Sequence, residues 1–567
     1  MIKKLYYTLL SFTIILLTAG CEKVLDQKNL TAINPEDVWN DAGLATAYVN
    51  GFHNALMPGM PAGTGNNTDE AVANNNFNVF LYGTATIDSY NNWPYATIRT
   101  INTLLSSIDK GSIAADKKEP LKGQAFFWRA WAYFSMVKGY GGVPLILDVQ
   151  ESSMSMDSLK VKRNSTSECF AQIVKDVDSA IAKLPPSWDN NNYGRVDKSA
   201  AMAFKARILL FYASPLFNPS GLASRWQDAY NAALAAKEYC ESQGKGLMDN
   251  FADIWDQQPN KEGIMVRVYA NPGATYFTGG LRPYKYSNGA AQDDGPSLEL
   301  VDAFPMIDGS KWNTLTMNHD TLFRHRDERF YATIGYNGAA PYLADMFTLN
   351  ENLWTYIKPD GERMDGTCCN TLSSFYRVKM MDRKITQATV SLTSTPWPEI
   401  RFAELLMMFG EAANEIGNTA EALQVLYDLR KRAGILPGTD NKYGITATTQ
   451  ETIRSAYQDE AFVEFAFEGK RWDYLRRLRK FDTRFNELKR RHGFQVYLKE
   501  GAPAPTGMDD INDYISSFDL VKVATDVLDF NVKPEYYFYA IPKVHIDANP
   551  NLAQTKGWPG GTFDPLD

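Results

Sequence analysis

The stretch Lys122–Phe134, KGQAFFWRAWAYF, decides the fold. Phe127, Trp131 and Phe134 recur at i, i+4 and i+7, and alanines occupy much of the remaining helix surface. A helix that is apolar nearly all round is buried nearly all round. The Gly-Gly-Val-Pro run that follows cannot continue a helix. The pattern therefore predicts one buried central helix over residues 121–140.

Amphipathic helices are predicted on both sides of this central helix. Ser165 and Glu168 match a capping box, and apolar residues then follow at helical spacing. Residues 404–434 contain two helices around Gly417, with the spacings of one tetratricopeptide repeat unit. Such a unit buries its faces by stacking on neighbouring helices. Further helical patterns cover residues 94–108, 199–212 and 226–240.

The N-terminus has the pattern of an export signal. Lys3 and Lys4 precede an apolar run, Leu5–Leu17, that is short for a stable membrane span. The run ends in LTAGC, which is similar to the lipobox of bacterial lipoproteins, where the cysteine thiol takes the lipid. We predict lipidation of Cys21. The alternative is an ordinary secretory signal with an incidental cysteine.

The helical period is lost between residues 260 and 395, where Gly, Asn, Asp, Pro and aromatic residues dominate. Short β-like runs occur there, such as Ile264–Tyr269 and Phe330–Gly335. We predict a mainly α fold, a tetratricopeptide-like helix-pair scaffold with a loop-rich middle region containing short β strands, in a single large globular body. The expected organisation is a lipoprotein signal peptide (1–20), the lipidated cysteine and a tether (21–36), an N-terminal helical region (37–250), the loop-rich middle region (251–395), and a C-terminal region with the helix pair (396–567).

Composition narrows the function classes. The 567 residues include 58 Lys+Arg and 66 Asp+Glu, and the net charge of −8 argues against a general nucleic-acid binder. Aromatic residues make up 13%, a large supply of flat apolar faces for a core or for a ligand. The cysteines are too few for a disulfide framework in so large an exported chain, and the adjacent Cys368 and Cys369 are expected to be free thiols.

Catalytic and metal-binding patterns are scarce. No histidine lies in a metal-ligand spacing, and the chain lacks a GxSxG elbow, a phosphate-binding loop and a dinucleotide fingerprint. Asp293-Asp294 and Asp509-Asp510 could bind calcium or act as a glycosidase acid and base. Adjacent acids on loops are common, however, and glycosidase pairs are usually distant in sequence. We predict no catalytic residue, no metal ligand and no cofactor.

The densest group of charges runs from Glu460 to Arg477, among phenylalanines and Trp472. Glu468 can reach Arg471 at i+3. We interpret these charges as structural ion pairs beside a buried aromatic stripe. Catalysis is the alternative.

Six ordered stretches, together with the lipobox, resemble the SusD/RagB family of bacterial outer-membrane nutrient-binding lipoproteins. The central helix and the following Tyr140–Leu145 look like the family's signature helix. The other similarities are Ile98–Asn102 to "IRxxN", Gly194–Ala201 to "GRxxKxAA", Glu399–Ala412 to "IRxAExxLxxAEA", Glu464–Arg477 to "EFxxEGxRWxDLRR" and Ile541–Gln554 to "IPxxEIxxNPxLxQN". The chain departs from the pattern at Gly410, Ala461 and Thr555, where the family often has Ala, Arg and Asn.

The resemblance implies a non-catalytic lid on a SusC-type TonB-dependent transporter, lipid-anchored in the outer membrane and facing the cell exterior. Such proteins capture glycans, or in some branches peptides, and deliver them for import. Glycan capture suits this composition, because sugar rings stack their C–H faces on Trp and Tyr while Asn, Asp and Arg bond the hydroxyls. Peptide capture by the same scaffold and a surface glycosidase are the alternatives.

The candidate ligand-binding residues lie in loops, where aromatic side chains lack a role in a helical core. Each of them could instead pack inside the protein. We predict that two or three of them form one shallow aromatic platform. The candidates are Asn75, Phe77, Tyr82, Trp93, Tyr276, Tyr284, Trp312, Tyr336 and Trp354.

Overall fold

Helices dominate the computed structural model, which describes residues 36–73, 77–290, 293–312, 323–366 and 373–566. The N-terminal helices are α1 (Ala42–Leu56), α2 (Tyr95–Ser107), α3 (Ala115–Tyr140), α4 (Met156–Leu159), α5 (Thr166–Lys183), α6 (Lys198–Ala213) and α7 (Ala223–Ser242). The middle helices are α8 (Asp253–Asp256), α9 (Leu298–Ala303), α10 (Glu328–Thr333) and α11 (Ala344–Leu349). The C-terminal helices are α12 (Phe402–Glu415), α13 (Thr419–Arg432), α14 (Gln450–Glu464), α15 (Arg471–Arg477), α16 (Phe481–Leu488) and α17 (Lys543–Ala548).

Strands are short and pair two by two in antiparallel fashion within the described residues. The pairs are β1 (Ala71–Val72) with β3 (Gly295–Pro296), β2 (Gly263–Arg267) with β6 (Trp397–Arg401), β4 (Ile334–Gly335) with β5 (Tyr376–Arg377), and β7 (His492–Leu498) with β8 (Phe518–Ala524). The predicted mainly α fold with a loop-rich middle region is confirmed.

The predicted central helix is α3. It begins at Ala115, six residues earlier than expected, with Pro120 inside it. Proline removes one backbone donor, but the turn that loses it is exposed, so water can take its place. Phe127 and Trp128 are fully buried, and α3 packs against α1, α2 and α5. Asp176 of α5 accepts two hydrogen bonds from the guanidinium of Arg129, each at 2.7 Å, which fixes the α3–α5 contact.

Local signals in the sequence place other helix ends correctly. Ser165 Oγ accepts from the amide of Glu168 at 3.2 Å, and Glu168 accepts from the amide of Ser165 at 3.0 Å, so the capping box is present. The helix pair α12–α13 turns at Gly417, whose φ of +91° lies in the left-handed region that favours glycine. α12 also packs on α7 and α14, so the pair buries its faces against neighbouring helices as predicted.

The charges between Glu460 and Arg477 form ion pairs, as interpreted, but most of their partners come from elsewhere in the chain. Glu468 accepts from Arg401 and from Lys379, not from Arg471. Arg471 instead forms a bidentate pair with Asp69 at 2.8 Å. The reason is that α14 ends at Glu464, so Glu468 and Arg471 do not share one helix.

In the part of the chain that the structure covers, no helix combines the length and the apolar character needed to cross a bilayer.

Candidate functional site

Two adjoining cavities of about 420 and 340 Å³ form one groove in the middle region. They share lining residues, and their volumes are in the range of small-ligand sites. We call this the tyrosine groove. Its main lining residues are Trp255, Asp256, Tyr331, Tyr336, Tyr342, Met380, Met381, Asp382, Arg383 and Thr395.

Short elements of the middle region bring the tyrosines together. Asp327 caps α10 by accepting from the amide of Phe330 at 3.0 Å, and α10 carries Tyr331. The chain then enters β4, which ends one residue before Tyr336. β4 pairs with β5, and the residues after β5 form the neighbouring wall of the groove. α8 supplies Trp255 and Asp256 on the remaining side.

Tyr336 is held in place by other aromatic rings. Its ring stacks on Phe323 at 4.5 Å between centroids and on Phe330 at 5.7 Å. Tyr331 lies 6.3 Å away and is 40% exposed. Burial raises the pKa of Tyr336, so its hydroxyl stays neutral. The two rings offer a fixed aromatic surface of the kind on which sugar C–H faces stack.

Two residues that line the groove have buried polar atoms with unused hydrogen-bonding capacity. Tyr342 Oη and Trp255 Nε1 are buried and lack a hydrogen-bond partner among the described residues. Asp256 and Arg383 form an ion pair at 3.4 Å that remains partly exposed. Burial raises the pKa of Asp256, and Arg383 opposes that shift. The groove therefore combines an aromatic surface with donors and acceptors suited to hydroxyl groups.

Among the sequence candidates, Tyr336 lines the groove and Tyr276 lies behind it. Tyr276 is partly buried, and its hydroxyl donates to the carbonyl of Thr395 at 3.2 Å. Tyr284 lines a separate open depression of about 500 Å³, together with Lys285 and other residues. Tyr284 and Tyr336, two of the candidates for the predicted platform, therefore line different cavities.

Phe77 and Tyr82 form a second aromatic surface. Their rings stack at 4.4 Å with an interplanar angle of 9°, and Phe77 is 52% exposed. The Tyr82 hydroxyl donates to Asp526 at 2.7 Å. Trp93 stacks on His545 at 4.7 Å and packs at the edge of the main core. Neither group lines the tyrosine groove.

Trp312 and Trp354 require a correction to the predicted platform. They are only 6% and 5% exposed, and each belongs to a buried apolar cluster. The guanidinium of Arg326 lies 5.1 Å from the ring of Trp312, and Trp354 Nε1 donates to the carbonyl of Gly507 at 3.1 Å. Loops here fold over their own aromatic residues, so a loop position did not mean an accessible ring.

Some sequence candidates lie outside the described residues. These are Asn75, the lipidation candidate Cys21, and the adjacent Cys368 and Cys369.

Sequence reasoning missed Trp255, Tyr331, Tyr342 and Arg383. Trp255 follows an FADI run that resembles a helix core, and the position of Tyr331 next to Phe330 suggested a strand. The spacing Tyr331–Tyr336 within a segment rich in Gly, Asn and Ala was the available signal, because such segments place aromatic residues near the surface.

The paired acids have structural partners in this fold. Asp294 accepts from Arg377 at 3.1 Å and from the amide of Gly63 at 2.7 Å. Asp509 accepts from the amide of Thr506 and from Tyr514 Oη. Among the described residues, no group of three or more His, Cys, Asp or Glu side chains is arranged to hold a metal ion.

Two family models match the chain. The model described as the SusD family matches residues 253–558, just over half of the chain. The model described as starch-binding and associating with the outer membrane matches residues 43–210.

Relatives and solved structures agree with these matches. "SusD-like protein P2" of Formosa agariphila is 22% identical over 396 residues, which cover 68% of this chain and 71% of the relative. A SusD-like protein from Bacteroides fragilis has a similar fold, with a TM-score of 0.73 and 24% identity over 93% of this chain and 100% of that chain. A SusD-like carbohydrate-binding protein from the same species gives a TM-score of 0.70 at 19% identity, covering 90% of this chain and 99% of that one. The chain belongs to the SusD family.

Proposed function

We propose that this protein binds oligo- or polysaccharide in the tyrosine groove and delivers it to a SusC-like TonB-dependent transporter. It acts at the outer membrane, anchored through lipid on Cys21 and facing the cell exterior. It is a binding subunit without catalytic activity of its own.

The observation that carries this proposal is that Tyr336 and Tyr342 line the same cavity, and that the buried Tyr342 hydroxyl has no hydrogen-bond partner among the described residues. A sugar ring has an apolar face that can stack on the ring of Tyr336 and hydroxyls that can bond the hydroxyl of Tyr342. A buried polar atom without a partner costs free energy, and a ligand hydroxyl bound there recovers part of that cost. Tyr336 stacks on Phe323 and on Phe330, and these contacts fix its ring before a ligand binds. Little side-chain entropy is therefore lost when a sugar binds.

The comparisons support a glycan as the ligand class. One matching family model is described as starch-binding, and one structural neighbour is described as a carbohydrate-binding protein. A sugar is therefore the ligand class that fits both these descriptions and the aromatic and polar groups of the groove.

The carboxylates of the groove support binding over hydrolysis. Asp256 is paired with Arg383, and Asp382 accepts from the amide of Lys384 at 2.8 Å and from Thr395 Oγ1 at 3.1 Å. Each acid therefore already has a partner within the protein.

Affinity gels containing polysaccharides test this proposal on the chain that begins at residue 22. We expect retention on at least one polysaccharide, and weaker retention for Tyr331→Ala and Tyr336→Ala. Tyr497→Ala is the matched control, because Tyr497 is 39% exposed on β7 and lines no part of the groove. Equal retention of all variants would place the glycan elsewhere. Binding of peptides alone, or release of sugar from the polysaccharide, would overturn the proposal.

A further inference from the structure

A second cavity, of about 490 Å³, lies where the N-terminal helices meet the C-terminal ones. We call it the interhelical cleft. It shares no lining residue with the tyrosine groove. One wall comes from α3 and α6, the opposite wall comes from α12 and α15, and the loop of residues 58–64 lies along it.

Ion pairs connect the walls of the cleft. Lys138 of α3 pairs with Asp473 of α15. Arg207 of α6 donates to Glu404 of α12 at 2.8 Å, and Lys470 donates to the same carboxylate. These pairs join segments that are far apart in sequence, so the cleft exists only in the assembled fold.

These pairs are more exposed than the charge network of the core, in which Arg401 pairs with Glu262, Glu464 and Glu468. Arg401 and Glu464 of that network have no exposed side-chain surface. Lys138 and Asp473 each keep 27% of their side-chain surface exposed, and Lys470 keeps 17%. Charges that face a cavity can exchange a protein partner for a ligand group, whereas those of the core cannot be reached.

Aromatic and apolar groups form the rest of the surface. The main ones are Trp131, Phe134, Phe211, Met407, Met408 and Phe465. Lys138 Nζ lies 5.5 Å from the centre of the Phe134 ring, and Lys470 Nζ lies 5.8 Å from that of Phe465. Thr64 Oγ1, on the covering loop, is buried and lacks a partner among the described residues. The cleft thus offers an apolar pocket beside charges of both signs.

Positive and negative groups are balanced around this pocket. Four cations and four acids line it: Lys138, Arg207, Lys470 and Arg477, and Glu399, Glu404, Glu411 and Asp473. A fifth acid of the lining, Glu468, is neutralised from outside the cleft by Arg401 and Lys379. Burial raises the pKa of Glu404, but Arg207 and Lys470 more than offset this and lower the pKa to about 2, so the acid stays ionised. A ligand with a single charge that opened one of these ion pairs would leave one of its two members uncompensated. A ligand with a positive and a negative group can pair with both members, so that two ion pairs replace one.

We infer that the interhelical cleft binds a small zwitterion with an apolar side chain, of the size of an aromatic amino acid or a dipeptide. Its carboxylate pairs with Lys138 or Lys470, its ammonium pairs with Asp473, and its side chain packs on the aromatic wall. This function is separate from glycan capture.

Calorimetric titration of the chain from residue 22 with leucyl-phenylalanine tests this inference. We expect saturable binding, and an affinity weaker by roughly tenfold or more for the N-acetylated, C-amidated dipeptide, which has lost both charges. The double variant Lys138→Gln/Asp473→Asn keeps the size of both side chains and removes both charges. We expect it to lose dipeptide affinity by a similar factor while keeping the retention of the parent on polysaccharide gels.

Tyr336→Ala is the matched control, since it alters the tyrosine groove alone, and it should bind the dipeptide like the parent. Three results would each overturn the inference: no saturable binding of the dipeptide, equal binding of the capped dipeptide, or undiminished binding by the double variant. Because glycan retention is measured separately, failure of this inference and failure of the proposed function give different results.

Discussion

Arg401 and Glu468 lie 67 residues apart in the chain and form a bidentate ion pair inside the core. Arg401 Nη2 donates to Glu468 Oε1 at 2.7 Å, and Nε donates to Oε2 at 3.0 Å. Neither side chain has exposed surface. The same guanidinium also bonds Glu262 and Glu464 at 2.7 Å. One arginine thus joins β6, the start of β2 and the end of α14.

Removal of this guanidinium should destabilise the whole protein. Arg401→Met leaves buried carboxylates without compensation, and we expect the free energy of unfolding to fall by about 3–5 kcal/mol. Urea denaturation followed by circular dichroism measures the change. Lys311→Met is the control, because its pair with Asp459 at 2.7 Å is exposed and should contribute less than about 1 kcal/mol. Equal losses for both variants would contradict the assigned role.

Gly410, where related sequences often have alanine, makes room for Tyr457. A Cβ atom at position 410 would overlap the Tyr457 hydroxyl, which donates to the carbonyl of Ala422 at 2.6 Å. We expect Gly410→Ala to lower the free energy of unfolding by about 1–3 kcal/mol, and Tyr457→Phe to recover part of that loss in the double variant. Gly51→Ala, at an exposed position in α1 with open space around it, should instead stabilise the protein by about 0.5–1 kcal/mol. Thermal denaturation of the parent and of these three variants provides the comparison.

Glu70 should make stability depend on pH. Burial raises its pKa from 4.5 to about 8, with Arg471 opposing the shift and Asp69 adding to it. Between these two values the unfolded state loses a proton that the folded state keeps, so stability is full below pH 4.5 and is lost as the pH rises towards 8. The slope is at most about 1.4 kcal/mol per pH unit. The side chain of Glu70→Gln does not titrate, so the free energy of unfolding of this variant should rise relative to that of the parent between pH 5 and 8. Chemical denaturation at each pH measures the difference. A constant difference between the two proteins would contradict the prediction.

Tyr342→Phe should separate stability from ligand binding. The hydroxyl is buried and unpartnered within the described residues, so its removal should leave the free energy of unfolding unchanged or raise it by about 1 kcal/mol. If the hydroxyl bonds a glycan, affinity should fall by a factor of roughly 3–10. Affinity gels and thermal denaturation of the same preparation measure both effects. Unchanged retention would show that the ligand does not reach this hydroxyl.

Cys21→Ala should abolish lipid attachment. The thiol of Cys21 is the predicted attachment point, and we expect folding not to depend on the lipid. Metabolic labelling with a radioactive or clickable palmitate, in a host that processes lipoproteins, is the measurement. We expect label on the parent chain and none on the variant, with equal amounts of folded protein. Label retained by the variant would point to another attachment site.

The sequence by itself determined the main helices of the scaffold and some of their ends. The aromatic spacing of Phe127, Trp131 and Phe134 predicted the buried α3, and Ser165 with Glu168 predicted the start of α5. The α12–α13 pair was visible around Gly417. These signals act between residues no more than a few positions apart, so the periodicity of one helix or the chemistry of one cap contains them completely.

Only the tertiary structure decided which loop residues are accessible and which charges are paired. Trp312 and Tyr336 come from the same kind of segment, yet the first is covered by protein and the second lines a groove. Glu468 finds Arg401 instead of the nearby Arg471. In each case the residues that cover the ring or pair with the charge come from distant parts of the sequence and are brought together by packing of the chain. Irregular segments have no period that fixes the direction of a side chain, and ion pairing depends on distance in space, so neither could be obtained from local spacing.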